Sequence, residues 1–221
     1  DITEKLVKIV NEENPNIIVM SGDMINEKVD GFDNFFNLCE ELKDKTVYYV
    51  FGNHEENMSD KKQNEFIEKI KEKTNVILLN NDKVELDDSF TIYGFSHQVK
   101  YYLASTKEKI DLNYIEERIG KIDINKFNLL ISHDPLLYNL YSEYGFDMVL
   151  SGHLHGGIIN IPFVGGLLSP DFTFFPKYYK GVNKIGNTNL VISRGLGYGY
   201  MIPIRVFNRG EVVIINLMKN E

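Results

Sequence analysis

The sequence predicts an α/β protein. Helical and strand-like segments alternate from residue 2 to about residue 151, and after His155 strands follow one another without a convincing helix between them. Four of the apolar strand segments end directly in polar residues able to hold a ligand. No repeat, low-complexity tract or linker divides the chain, so residues 1–221 are expected to form one domain with a substantial core.

In chain order, Ile2, Leu6, Ile9 and Val10 recur at helical spacing to about residue 13, where Asn14-Pro15 ends the pattern. Residues 16–21 read as a short, fully buried strand. A second helix is expected over about 32–43, carrying Phe32, Phe35, Phe36, Leu38 and Leu42. Residues 47–51, rich in β-branched and aromatic side chains, form the next strand. Ser59 stands at the N-cap of a helix reaching about Lys73, with Phe66, Ile67 and Ile70 inward. Strands at 76–79, 84–86 and 90–95 are joined by the turns Asn80-Asn81-Asp82 and Asp87-Asp88. Asp111 caps a helix ending near Gly120, and residues 127–131 form a strand. A short helix through Leu136, Leu137 and Leu140 leads to the strand before Gly152. Further strands are expected near 184–186, 189–193, 204–207 and 211–217.

Composition narrows the function. The net charge of −8 argues against a large surface that tracks nucleic-acid phosphates, though not against a small phosphorylated substrate, because bound cations can dominate the local field. Cys39 is the sole cysteine, which excludes an internal disulfide and fits a reducing compartment; its neighbours Phe35, Phe36 and Leu38 favour a core role over a nucleophilic one. No apolar run reaches the length of a membrane span and no signal-peptide pattern is present.

The polar sets carry the chemistry. Asp23 follows the first strand, Asn53-His54 the second, His133 a later one, and His153 with His155 the strand after that. In open α/β sheets ligands bind beyond the carboxyl ends of the strands, so parallel strands would bring all four sets, and four of the five histidines, to one edge. In an extended segment His153 and His155 would share a face about 7 Å apart, a spacing suited to different ions of an adjacent pair. A carboxylate, an amide and three or four imidazoles, without thiolate, suit manganese, iron, cobalt or catalytic zinc. Two such ions would bind phosphoryl oxygens and supply a metal-bound hydroxide for attack in line with the leaving oxygen. If extended, His54 points away from Asn53 and is placed either to protonate the leaving oxygen or steady the phosphoryl group, or merely to order its loop. Glu55, Ser132 and Asp134 either orient ligand imidazoles or are ordinary loop residues.

Gly22-Asp23, Gly52-Asn53-His54-Glu55, the isolated His133 and Gly152-His153-Leu154-His155 resemble, in order, spacing and strand context, the blocks of the calcineurin-like metallophosphoesterase superfamily, over residues from about 16 to 217. The resemblance implies a four-layer α/β/β/α sandwich of two mixed sheets flanked by helices. It implies that Asp23 bridges two divalent ions, with manganese favoured. Asn53, His133 and His153 would complete one site, His155 would belong to the other, and His54 would be the catalytic histidine. The segment from Gly156-Gly157 through Tyr178-Tyr179-Lys180-Gly181 to Ser193-Arg194-Gly195-Leu196-Gly197 is similar to a bacterial branch that includes membrane-associated phosphodiesterases and enzymes acting on lipid-linked sugar nucleotides.

The superfamily opens with an Asp-x-His block that serves the ion held by His155, and no Asp-x-His occurs in this sequence. Because Asp1 leads straight into a helical pattern, the first strand and its block are expected upstream of it. The given chain is then expected to bind one ion tightly and a second weakly, with little activity. The reading that follows is a binuclear metal-dependent phosphoester hydrolase, a phosphodiesterase rather than a monoesterase, acting on a small phosphorylated substrate. The rival is a non-catalytic scaffold or binding protein of the same fold with at most one metal; a nuclease relative is disfavoured by the acidic balance. A cytoplasmic location is expected, with membrane association through an upstream segment as the alternative and peripheral membrane contact left open. Two weaker substrate-contact candidates remain. His97 is read as a structural or rim residue before a substrate one, and Arg194 as either a contact to a distal substrate group or a surface salt bridge. The aromatic stretch at 156–181, with Phe163, Phe172, Phe174, Phe175, Tyr178 and Tyr179, forms either a lid or the cover of a sheet.

Overall fold

The computed structural model describes residues 2–26, 28, 31–102, 110–157, 159–161, 165–168, 176–197, 205 and 208–218. Helix α1 (Ile2–Glu13) leads to strand β1 (Ile18–Met20), α2 (Asp33–Glu41), β2 (Val47–Tyr49), a single turn α3 (Asn53–Glu56) and α4 (Asp60–Lys73). Then come β3 (Ile77–Leu78), β4 (Asp82–Asp87), β5 (Phe90–Phe95), a 3₁₀ turn (Val99–Tyr102), α5 (Leu112–Ile119) and β6 (Phe127–Ser132). A second 3₁₀ turn (Pro135–Leu137), α6 (Tyr138–Tyr144) and β7 (Met148–Ser151) precede β8 (Ile159–Ile161), β9 (Gly165–Leu168), β10 (Gly181–Ile185) and β11 (Thr188–Ile192).

The strands form two main sheets. One has the order β1-β2-β3 and the other β10-β11-β7-β6-β5-β4, while β8 and β9 pair by themselves. Within the larger sheet β5, β6, β7 and β11 run parallel and the edge strands β4 and β10 antiparallel. The smaller sheet is parallel throughout its described strands, so only one of the two sheets is mixed.

Strand alternation explains the layers. Side chains two apart share a face, so each strand divides its apolar residues between two cores. Val19, Tyr48, Val50, Ile92, Leu129, Ile131 and Leu150 meet between the sheets. Met20, Val47, Tyr49 and Phe51 turn outward beneath α1, α2 and α4, where Phe35 and Phe66 are all but fully buried. Tyr93, Phe95, Leu130 and Val149 do the same beneath α5 and α6, packing on Ile115 and Tyr141. The result is helix, sheet, sheet, helix. Cys39 lies in the first helical layer, where burial pushes its thiol up to about 12, the state of an inert core residue.

At the C-terminal end one expectation lies outside the described residues and one changes. The residues near 204–207 lie outside the described set except for Arg205. The segment at 211–217 is not a strand, although its Val-Val-Ile-Ile run has high β propensity. Among the described residues it has no ladder partner, and Ile214 and Leu217 are each 48% exposed. Propensity without a neighbouring strand does not make a sheet. Phe163, Phe172, Phe174 and Phe175 lie outside the described residues, while Tyr178 packs edge-on against Tyr138 with ring centroids 4.8 Å apart.

Candidate metal centre

The ends of β1 and β2 in one sheet, and of β6 and β7 in the other, meet at one rim. The Nδ1–H of His133, just after β6, donates to the carbonyl of Ser21, just after β1, at 2.6 Å. Two glycines permit this approach. A Cβ on Gly22, whose φ is +90°, would lie 2.6 Å from His133 Nδ1, and one on Gly52 would lie 2.3 Å from Asp23 Oδ1. Neither distance leaves room for a methyl group.

Asp23, His133 and His153 present ligand atoms all within 4.8 Å of one another. His133 Nε2 lies 2.9 Å from Asp23 Oδ2. Because Nδ1 of that ring carries the proton donated to Ser21, Nε2 presents a lone pair to a carboxylate lone pair. Only a proton or a cation between them makes such a contact favourable. The side-chain oxygen of Asn53, at the start of α3, is buried without a hydrogen-bond partner among the described residues. Burial alone would raise the pKa of Asp23, but the imidazoles of His133, His54 and His153 hold it well below the ordinary carboxylate range. Burial lowers that of His133, yet the Asp23 carboxylate and the Ser21 carbonyl outweigh it and raise it to about 9. One anionic oxygen, a spare amide oxygen and imidazole nitrogens fit a divalent cation of the manganese-to-zinc type.

His54 departs from its expected geometry. The segment after β2 is not extended but makes the helical turn α3. The backbone N–H of His54 therefore donates to Asp23 Oδ1 at 3.0 Å, and its Nε2 lies 3.9 Å from Asp23 Oδ2. Its ring faces the same carboxylate as that of His133.

His153 and His155 are also not extended. Their φ angles are +64° and +50°, and Asp23 has +54°, so three site residues occupy left-handed backbone that non-glycine side chains disfavour. His155 sits between Asp23 and a cationic neighbour missed by sequence reasoning: Arg205, whose guanidinium nitrogen is 3.4 Å from His155 Nδ1. Burial and then Arg205 lower its pKa to about 4, which leaves its imidazole neutral at ordinary pH. Asn208, 3% exposed, donates to the carbonyls of His155 and Gly157, and Arg205 donates to those of His155, Arg194 and Gly195. No motif marks Arg205 or Asn208, because their work is done through backbone carbonyls of a distant loop.

The remaining residues take other partners. Glu55 is fully buried, accepting from the amides of Asp23, Met24, Ile25 and Gly52 and from the Tyr49 hydroxyl, so it shapes the Asp23 loop rather than an imidazole. Ser132 bonds to the Tyr141 hydroxyl. Asp134 accepts from the Leu136 amide and lies 3.3 Å from His97 Nε2. His97 is only 2% exposed, the setting of a structural residue beside Asp134. Arg194 is given to Glu211, at 2.7 Å from Nε and 2.5 Å from Nη2, and so forms the salt bridge rather than an open anion contact.

Fold and site together define a class: two-sheet α/β proteins that hold a cation where the strand ends of both sheets converge. A model of the calcineurin-like phosphoesterase family matches residues 1–157, and the chain belongs to that family, whose members use divalent metals. It is 29% identical over 225 residues to the uncharacterized metallophosphoesterase Cj0846 of Campylobacter jejuni, covering 97% of this chain and 54% of that protein. It is 24% identical to the uncharacterized metallophosphoesterase YkuE of Bacillus subtilis, covering 96% of this chain and 71% of that protein. It is also 24% identical to the phosphodiesterase YaeI of Escherichia coli, over 94% of this chain and 72% of that one. The chain thus spans about half the length of the Campylobacter protein. One solved structure superposes with a TM-score of 0.52 at 12% identity, over 85% of this chain and 83% of its own, a likeness of fold alone. No helix among the described residues is long and apolar enough to cross a membrane.

Proposed function

We propose that the protein hydrolyses phosphoesters with divalent metal ions, and that its substrates are small phosphodiesters. The observation that carries this reading is the 2.9 Å contact between His133 Nε2 and Asp23 Oδ2, which needs a proton or a cation between the two atoms, within a cluster of ligand atoms that His153 completes. Asp23, Asn53, His133 and His153 would hold one ion, and Asp23 and His155 would supply ligands toward a second; the mixed donor set fits manganese, iron, cobalt or zinc, of which manganese is the one proposed. When bound, such ions polarise phosphoryl oxygens and lower the pKa of water.

The chain's own residues do the rest. His54, whose backbone N–H donates to Asp23 and whose Nε2 lies 3.9 Å from the same carboxylate, stands where its ring would meet the phosphoryl group and protonate the leaving oxygen. The His133–Ser21 bond fixes the ligand tautomer, and the Glu55 bonds fix the Asp23 backbone. The diester preference is supported by the relative named a phosphodiesterase.

The test is hydrolysis of bis-p-nitrophenyl phosphate by the natural full-length protein with added manganese. Turnover is expected, with loss of about 100-fold or more in His54→Ala while manganese binding persists. A metal-loaded protein that is inert toward diesters and monoesters alike overturns the reading.

A further inference from the structure

Tyr102 closes the 3₁₀ turn Val99–Tyr102 that follows β5. Strands β5 and β6 are parallel, with Phe95 opposite Ser132, so this turn emerges beside His133 at the metal-binding rim. The ring of Tyr102 lies 5.0 Å from that of His153 and 6.3 Å from that of His133, centroid to centroid. On its other side it lies 4.3 Å from the ring of His97. Tyr102 is 8% exposed and His97 2%. His97 is itself fixed by the fully buried Asp134, 3.3 Å from its Nε2. The rings of His97, Tyr102, His153 and His133 thus follow one another in a continuous row, its last two members 5.1 Å apart.

We propose that Tyr102 is a positioning residue for the metal centre. Its ring, backed by His97, sets the plane of the His153 imidazole against His133 and keeps water from that face of the ligands. The proposal rests on the metal reading above. The physical reason is that an imidazole on a single Cβ can swing about two torsions, and a ligand nitrogen displaced by a fraction of an ångström binds less well. His133 is held by its hydrogen bond to Ser21, and the rings of Tyr102 and His133 pack against the His153 imidazole from 5.0 and 5.1 Å. The Asp134–His97 pair takes the part of a buttress, which gives a use to a buried polar pair that otherwise serves no ligand.

Cobalt(II) tests this, because its visible absorption reports ligand geometry without any turnover. The probe is cobalt alone, titrated into wild type, Tyr102→Phe and Tyr102→Leu. Tyr102→Phe keeps the ring and is expected to keep the wild-type spectrum, with affinity within about threefold. Tyr102→Leu removes it and is expected to weaken cobalt binding about 10-fold or more and to shift the visible bands. If Tyr102→Leu does not fold, Tyr102→Met, longer and apolar, answers the same question. A leucine or methionine variant with wild-type spectrum and affinity overturns the positioning role. A wild type that takes up no cobalt overturns the metal reading itself, and the two failures are told apart by which protein fails.

Discussion

Glu55 shows how much of the site depends on one side chain that touches no ligand ring. Its two oxygens accept from four backbone amides and the Tyr49 hydroxyl, donors drawn from the β1 and β2 ends. An amide in its place turns one oxygen into a donor that faces at least two others. Glu55→Gln is therefore expected to cost about 2–3 kcal/mol in urea unfolding of the metal-free protein, with weaker manganese binding because Asp23 loses its backbone support. His133 carries the clearest pH dependence. Its pKa in the folded, metal-free protein is about 9, above the 6.5 of a free imidazole. The stabilisation this represents is complete below pH 6.5 and is lost as pH climbs through 9. A cation must displace that proton, so manganese affinity is expected to rise about tenfold per pH unit toward 9 and then level off. Calorimetric titration in two buffers of different ionisation enthalpy checks this: about one proton should leave per ion at pH 7 and almost none at pH 10.

At the level of the elements, the strand ends meet because glycine stands where the backbones touch. Gly52→Ala drives a methyl into Asp23, whose Oδ1 lies 2.3 Å from the Cβ position. A loss of about 1–3 kcal/mol in stability is expected, with at least tenfold weaker manganese binding measured in the same samples. What a sequence shows of such a site has a physical boundary. The runs before Asp23, Asn53, His133 and His153 are legible because burial imposes its period on the residues that form them. The turns that follow are not. Asn53 and His54 enter a helical turn, and His153 and His155 take left-handed backbone, because of contacts from segments far along the chain. Arg205, Asn208 and Tyr102 escape notice for the same reason: each acts through a neighbour supplied by the fold. The 211–217 run misleads in the opposite sense, since its apolar residues have the propensity for a strand but no partner among the described residues.

For the whole molecule, the origin of the ligands matters more than their number. Asp23 and Asn53 follow strands of the smaller sheet, while His133 and His153 follow strands of the larger one. A cation shared among them would link the two sheets at one rim, beyond the apolar contact of Tyr48, Ile92, Leu129 and Ile131 that joins them in the middle. Binding to the folded state alone stabilises it by about 2.7 kcal/mol when free metal is a hundredfold above the dissociation constant. For a chain of this length that corresponds to about 5–10 °C in melting temperature, which a chelator should remove. In Asp23→Asn the chelator should have almost no effect. Ile115→Ala supplies the contrast, because Ile115 is the fully buried residue of α5 that packs on the outer face of the larger sheet. It should lower stability by about 2–4 kcal/mol with and without metal, leaving the chelator-induced difference intact. A chelator difference that shrinks in Ile115→Ala as much as in Asp23→Asn would mean that the ion is not a local tie between the sheets but one more consequence of global packing.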